Sequence, residues 1–144
     1  MGWRLESKMV RGAKGSDPHT GAISFPIYQT ATFKHPGLGQ STGYDYTRSG
    51  NPTREELENT LANLEGGTSA LAFASGMAAI ATVLELFKPE DHLLVSDDLY
   101  GGTYRLFEEV ARNHGLQFTY LDTCNEQNLL EAIQDNTRAI FIET

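Results

Sequence analysis

Between residues 70 and 142, short apolar runs alternate with stretches of helical periodicity, and this alternation narrows the fold more than any other feature of the chain. Apolar runs at 70–74, 92–96, 116–121 and 138–142 predict strands, while 77–87, 103–113 and 126–133 carry helical spacing. Gly115 and Asn136 punctuate the series. Each pair of strands is separated by enough chain to cross back over a sheet, which predicts an α/β fold with a parallel sheet and helices on its faces. Ligands of such sheets collect at the carboxyl ends of the strands.

The chain ahead of this series is different. Gly12, Gly15, Pro18, Gly21, Pro26, Pro36, Gly37, Gly39 and Gly43 interrupt any periodicity and predict an extended N-terminal arm over residues 1–52. Thr53 and Glu56 then form a T-x-x-E capping box, Leu57, Leu61 and Leu64 recur at helical spacing, and Gly66-Gly67 supplies a stop, so a helix is expected over 53–65. The expected division is an arm, 1–52, and the beginning of an α/β domain, 53–144. A final strand followed only by Glu143-Thr144 is an unusual end for a domain, and we expect the chain to be the N-terminal part of a longer one.

Charge and composition exclude several classes of function. A formal net charge of −8 leaves no general surface for nucleic acid, whose phosphates require clustered Lys and Arg. The apolar stretch 78–87, broken by Thr82 and Glu85, is far shorter than the roughly 20 residues of a bilayer span. The segment Trp3-Arg4-Leu5-Glu6-Ser7-Lys8 has no apolar core of a signal peptide, and the lone Cys124 suits a reducing compartment, so a cytoplasmic location is expected. His19, His35, His92 and His114 lack metal-ligand spacing, and no metal site is predicted.

Three segments carry candidate chemistry. Ala74-Ser75-Gly76-Met77-Ala78-Ala79 lies where a strand hands over to a helix, and there the free N–H groups of a first helical turn can bind a phosphate. Read alone, it is equally an ordinary turn with Ser75 as N-cap. Tyr46 and Arg48, at the end of the arm, can point the same way in an extended segment and offer a phenol and a guanidinium fork to one phosphate, although a solvated loop explains them as well. Tyr100, in Asp97-Asp98-Leu99-Tyr100-Gly101-Gly102, follows a strand and could lie against a flat heterocycle, with Gly101 and Gly102 clearing the approach. Glu143 stands at a third strand end and could face the same cleft or be a solvated acid.

Tyr46-Thr47-Arg48 with Gly50-Asn51-Pro52-Thr53, Leu64-Glu65-Gly66-Gly67, Ala74-Ser75-Gly76-Met77-Ala78-Ala79, Leu99-Tyr100-Gly101-Gly102-Thr103-Tyr104-Arg105 and Ile142-Glu143-Thr144 together resemble the Cys/Met-metabolism enzymes dependent on pyridoxal 5'-phosphate (PLP). The resemblance covers about residues 15–144. It implies the start of the PLP-binding large domain of an aspartate-aminotransferase-like, fold type I enzyme. It further implies that Ser75, Gly76 and Met77 hold the cofactor phosphate, and that Tyr46 and Arg48 reach the phosphate of a neighbouring protomer's cofactor in a homotetramer with shared sites. On the same ground Tyr100 stacks on the pyridine ring as a catalytic and cofactor-binding residue, and Glu143, bordering the site, is expected among the cofactor-binding residues.

Members of this family act on small amino-acid substrates, by γ-replacement or by β- or γ-elimination. The run 100–107 resembles cystathionine γ-synthases most, with cystathionine β- or γ-lyase and O-acetylhomoserine sulfhydrylase as alternatives. Gly102 stands where methionine γ-lyases carry a reactive cysteine. None of Lys8, Lys14, Lys34 and Lys88 sits in the motif of the family's Schiff-base lysine, so the chain by itself is expected to be inactive. A non-catalytic oligomerisation module is the alternative from another class.

Overall fold

The computed structural model describes residues 4–13 and 15–143; Trp3, Lys14 and Thr144, which entered the sequence reading, lie outside them. The chain divides into two compact units, Met1–Ala72 and Phe73–Thr144. That division falls after the first long helix, whereas an arm ending at residue 52 was expected.

The first unit is built around helix α2, Pro52–Glu65. Its cap differs from the expected box. Asn51 is the N-cap, accepting the Thr53 N–H at 2.8 Å, and Pro52 occupies the first turn, where its missing N–H costs nothing. Thr53 and Glu56 are drawn instead into long-range bonds. The Thr53 hydroxyl accepts the Tyr28 N–H at 2.8 Å, and the Glu56 carboxylate accepts the Ala13 N–H at 2.9 Å. The arm also holds an unexpected helix, α1, Leu5–Arg11, which ends at Gly12 with φ 67°. Farther on, the arm folds back on itself through an antiparallel bridge between Thr32 and Tyr46.

The second unit carries the sheet. Strands β1, His92–Ser96, β2, Gln117–Leu121, and β3, Thr137–Phe141, are parallel in the order β2-β1-β3. Helix α3, Gly76–Leu84, precedes β1; α4, Gly101–Arg105, follows it and runs on through a π-helical turn, Leu106–Ala111, and a 3-10 turn, Arg112–His114; α5, Glu126–Ala132, lies between β2 and β3. Gly115 ends the long helical run with φ 93°, and a Cβ there would stand 2.9 Å from that of Pro89, so only glycine turns this corner.

All five residues of β1 are buried, as expected of the central strand of a parallel sheet. Leu93 and Val95 face a cluster of Leu84, Phe107, Ala111, Leu116 and Phe118. Phe107 stacks on Phe118 at 4.7 Å and meets Phe141 edge-on at 5.1 Å, joining the helix to both outer strands. On the other face His92 links all three strands, with Nδ1 at 2.8 Å from the Thr137 hydroxyl and Nε2 at 2.9 Å from that of Thr119. The strand expected at 70–74 does not form. A strand needs a ladder partner, and here the Ala72 N–H donates instead to the Glu58 carboxylate at 2.9 Å.

Candidate functional site

Within the second unit the site is assembled from two turns and one strand end. Ser75 caps α3, its hydroxyl accepting the Ala78 N–H at 3.1 Å, while its carbonyl accepts that of Ala79 at 3.2 Å. The helix thus satisfies two of its early donors and leaves the N–H groups of Gly76 and Met77 without an acceptor among the described residues, at the positive end of the helix dipole. A Cβ on Gly76 would meet nothing within 4 Å, so the side of the turn that this glycine presents is open.

Tyr100 follows β1 and is the N-cap position of α4, but its own side chain makes no capping bond. The cap comes from the end of β3. Glu143 accepts the Tyr100 N–H on Oε2 at 2.7 Å and the Thr103 hydroxyl on Oε1 at 2.6 Å. Tyr100 itself is 67% exposed, with its ring folded over Gly102. A Cβ at Gly102 would stand 2.5 Å from the Tyr100 ring and 3.2 Å from the Met77 sulfur. That pair of distances brings the turn opening α3 and the loop after β1 together, at the carboxyl edge of the sheet where the alternating pattern predicts a ligand.

Tyr46 and Arg48 form a cluster of their own in the first unit. They meet by a different route from the extended segment expected. The Ser49 and Gly50 N–H groups both donate to the Tyr46 carbonyl, at 2.9 and 3.0 Å, so the backbone turns and carries the Arg48 guanidinium back over the Tyr46 ring, 5.1 Å from its centre. Both side chains are exposed and line a cleft of about 1100 Å³ with Ile27, Arg54 and Leu57. Arg54 is committed to the turn, donating to the carbonyls of Thr47 and Ser49 at 3.4 and 3.0 Å. Arg48 has no such carbonyl bond among the described residues and presents its fork outward.

Ser75, Gly76, Met77, Tyr100 and Glu143 therefore gather in the second unit, and Tyr46 pairs with Arg48 in the first. Sequence reasoning passed over Thr103, which is fully buried and shares the Glu143 carboxylate, and Asn51, whose side chain also donates to the Tyr28 carbonyl at 3.0 Å. An asparagine directly before a proline at a helix start was signal enough for the second. Nothing local marks the first. Two unbonded amides beside open space and an exposed aromatic face fit a phosphorylated, flat heterocycle. Among the described residues no group of three or more His, Cys, Asp or Glu could hold a metal ion, and no helix is long and apolar enough to cross a membrane.

A parallel α/β sheet with two unbonded amides at a helix start and a tyrosine beside them defines a candidate PLP site on a fold type I frame. The family model described as Cys/Met metabolism PLP-dependent enzyme matches residues 6–144, and the chain belongs to that family, whose cofactor is pyridoxal 5'-phosphate. It is 50% identical over 144 residues to the cystathionine γ-synthase/O-acetylhomoserine (thiol)-lyase of Bacillus subtilis, covering 100% of this chain and 39% of that protein. Cystathionine γ-lyase of the same organism is 48% identical over 98% of this chain and 37% of its own length. Among solved structures, cystathionine γ-lyase from Lactobacillus plantarum complexed with L-serine superposes with a TM-score of 0.91 at 44% identity, over 99% of this chain and 37% of that one. Cystathionine γ-synthase from Xanthomonas oryzae pv. oryzae in complex with aminoacrylate and cysteine gives 0.91 at 36% identity, over 100% and 38%. The chain thus spans less than two fifths of the length of these relatives.

Proposed function

We propose that the full-length protein is a cystathionine γ-synthase, joining an activated homoserine ester to cysteine, and that this chain contributes the phosphate cradle and the ring-covering tyrosine of its PLP site. One observation carries the reading: the Gly76 and Met77 amides, free of any acceptor among the described residues, open beside the exposed ring of Tyr100. Bound PLP supplies the electron sink that stabilises charge at a substrate Cα. Gly76 and Met77 donate their N–H groups to the phosphate, and the Ser75 hydroxyl, which uses only a lone pair in capping α3, keeps its hydrogen for the same anion. Tyr100 covers the heterocycle, and its phenol is within the site to take or return a proton.

Tyr46 and Arg48 act on the cofactor phosphate of a second copy, so the protein works as a homo-oligomer, a tetramer, with shared sites. Support comes from their outward-facing cluster, which offers a hydroxyl and a guanidinium to one anion. The cytoplasm is the proposed location. The lyase reading stays alongside because the γ-lyase relatives are 48% and 44% identical to the chain, within the same range as the synthases.

Assays on the full-length protein with PLP decide between them. Cystathionine formed from O-acetylhomoserine and cysteine supports the synthase, and 2-oxo acid released from cystathionine without the ester supports the lyase. The 144-residue chain run beside it forms neither product, because none of its lysines sits in the anchoring motif; turnover by the chain alone overturns that part.

A further inference from the structure

Each oxygen of the half-buried Glu143 carboxylate accepts a bond from the protein, one from the Tyr100 N–H and the other from the Thr103 hydroxyl. Thr103 is 0% exposed, and its own N–H donates to the Tyr100 carbonyl at 2.9 Å. Tyr100 N and Thr103 Oγ1 therefore present one acceptor-shaped gap at the start of α4, and Glu143 fills it from the end of the neighbouring strand β3. Since the Tyr100 side chain makes no cap of its own, the backbone angle that folds its ring over Gly102 rests on this bond.

We propose that Glu143 is a positioning residue for Tyr100: it does not touch the cofactor but fixes the loop between β1 and α4 so that the tyrosine ring lies over the cofactor plane. This rests on the PLP reading above. Each carboxylate oxygen accepts a bond from the loop between β1 and α4 or from the first turn of α4, which ties the group to that loop. Positioning requires only the two contacts. Glutamine can keep both, its carbonyl oxygen accepting the Tyr100 N–H while its amide donates to a rotated Thr103 hydroxyl.

The test uses the full-length protein with Glu143→Ala, Glu143→Gln, Tyr100→Ala and the Glu143→Ala/Tyr100→Ala pair. Three quantities are read: the PLP dissociation constant, the induced visible circular dichroism of bound PLP, and the thermal midpoint of the apoprotein. Glu143→Ala is expected to weaken PLP binding about tenfold and to reduce the induced signal, as loss of a charge-assisted bond warrants. Glu143→Gln should restore both to within about threefold of the parent. In the Tyr100→Ala background Glu143→Ala should add nothing, since it acts through the ring that is gone. Additive losses in the double variant, or a glutamine variant as impaired as alanine while its midpoint is unchanged, overturn the positioning role. If Tyr100→Ala itself leaves affinity and induced signal intact, the PLP reading of this site falls, and the inference with it.

Discussion

At Gly102 a single hydrogen atom decides what can lie beside it. A methyl group there would overlap the Tyr100 ring at 2.5 Å and press on the Met77 sulfur at 3.2 Å. Real side chains never sit so close, so something must move, and the 67% exposed ring is the part with room to do so. Gly102→Ala should therefore displace Tyr100 while leaving the fold intact, because alanine is the better helix former at the second position of α4. The NMR ring resonances of Tyr100 should shift, and the unfolding free energy should change by less than about 1 kcal/mol. Unmoved resonances would mean that the ring does not rest on this glycine. The same residue also shows where sequence reading stops. That Tyr100 and the glycines after it lie at a strand's carboxyl end was legible from the sequence; that the carboxylate of Glu143, more than forty residues on, accepts the Tyr100 N–H was not, since no local pattern encodes a bond of that reach.

Elements were legible where their signal is local. Helical spacing and apolar runs found α2, α3, α5 and all three strands of the sheet, each within a few residues of its observed ends. Failures came where a distant partner decides. The run 70–74 has strand composition but no neighbour to pair with, and Thr53 and Glu56 look like a capping box until Tyr28 and Ala13 claim them. His92 belongs with these surprises, as its place in a strand says nothing of the two threonines it joins. Burial holds its imidazole below the usual value of 6.5, favouring the neutral ring that can donate to one threonine and accept from the other. In the unfolded chain the same ring takes a proton more readily. Folding stability is then fully present above pH 6.5 and is lost as pH falls below it, because the unfolded state binds the additional proton. Denaturant titrations across this window should show that slope, and His92→Gln should flatten it at an overall cost of about 2 kcal/mol from the disturbed bonds to the two half-buried hydroxyls. A variant with the parent's full acid slope would remove His92 as its source.

Across the whole molecule, burial is distributed unevenly. In the second unit most of the buried residues are apolar, with Leu93, Leu94, Val95 and Phe107 each at 1% exposure or less, and His92, Ser96 and Thr103 are buried among them. In the first, the described buried residues are Asp17, Asn51, Pro52, Glu56 and Ala62, whereas Ile23, Ile27, Leu38, Leu57 and Leu61 are exposed. Hydrophobic burial drives folding at roughly 25 cal/mol per Å², so the first unit has little of that driving force and relies on polar bonds whose net worth is about 1 kcal/mol each. Exposed aliphatic side chains beside the Tyr46–Arg48 cluster fit a surface meant for coverage by a second copy, as the shared-site reading requires. Hydrogen exchange measures this asymmetry directly. In the isolated chain the amides of Leu93, Leu94 and Val95 should be the most protected, and those of Tyr28, Phe33 and Thr47 should exchange at least about a hundredfold faster. If the full-length protein assembles as proposed, that gap should narrow sharply in it, because subunit contact would remove apolar surface of the first unit from water. Equal protection of the two units in the isolated chain would show that polar bonding alone sustains the arm, and the apolar face would then need no partner to explain it.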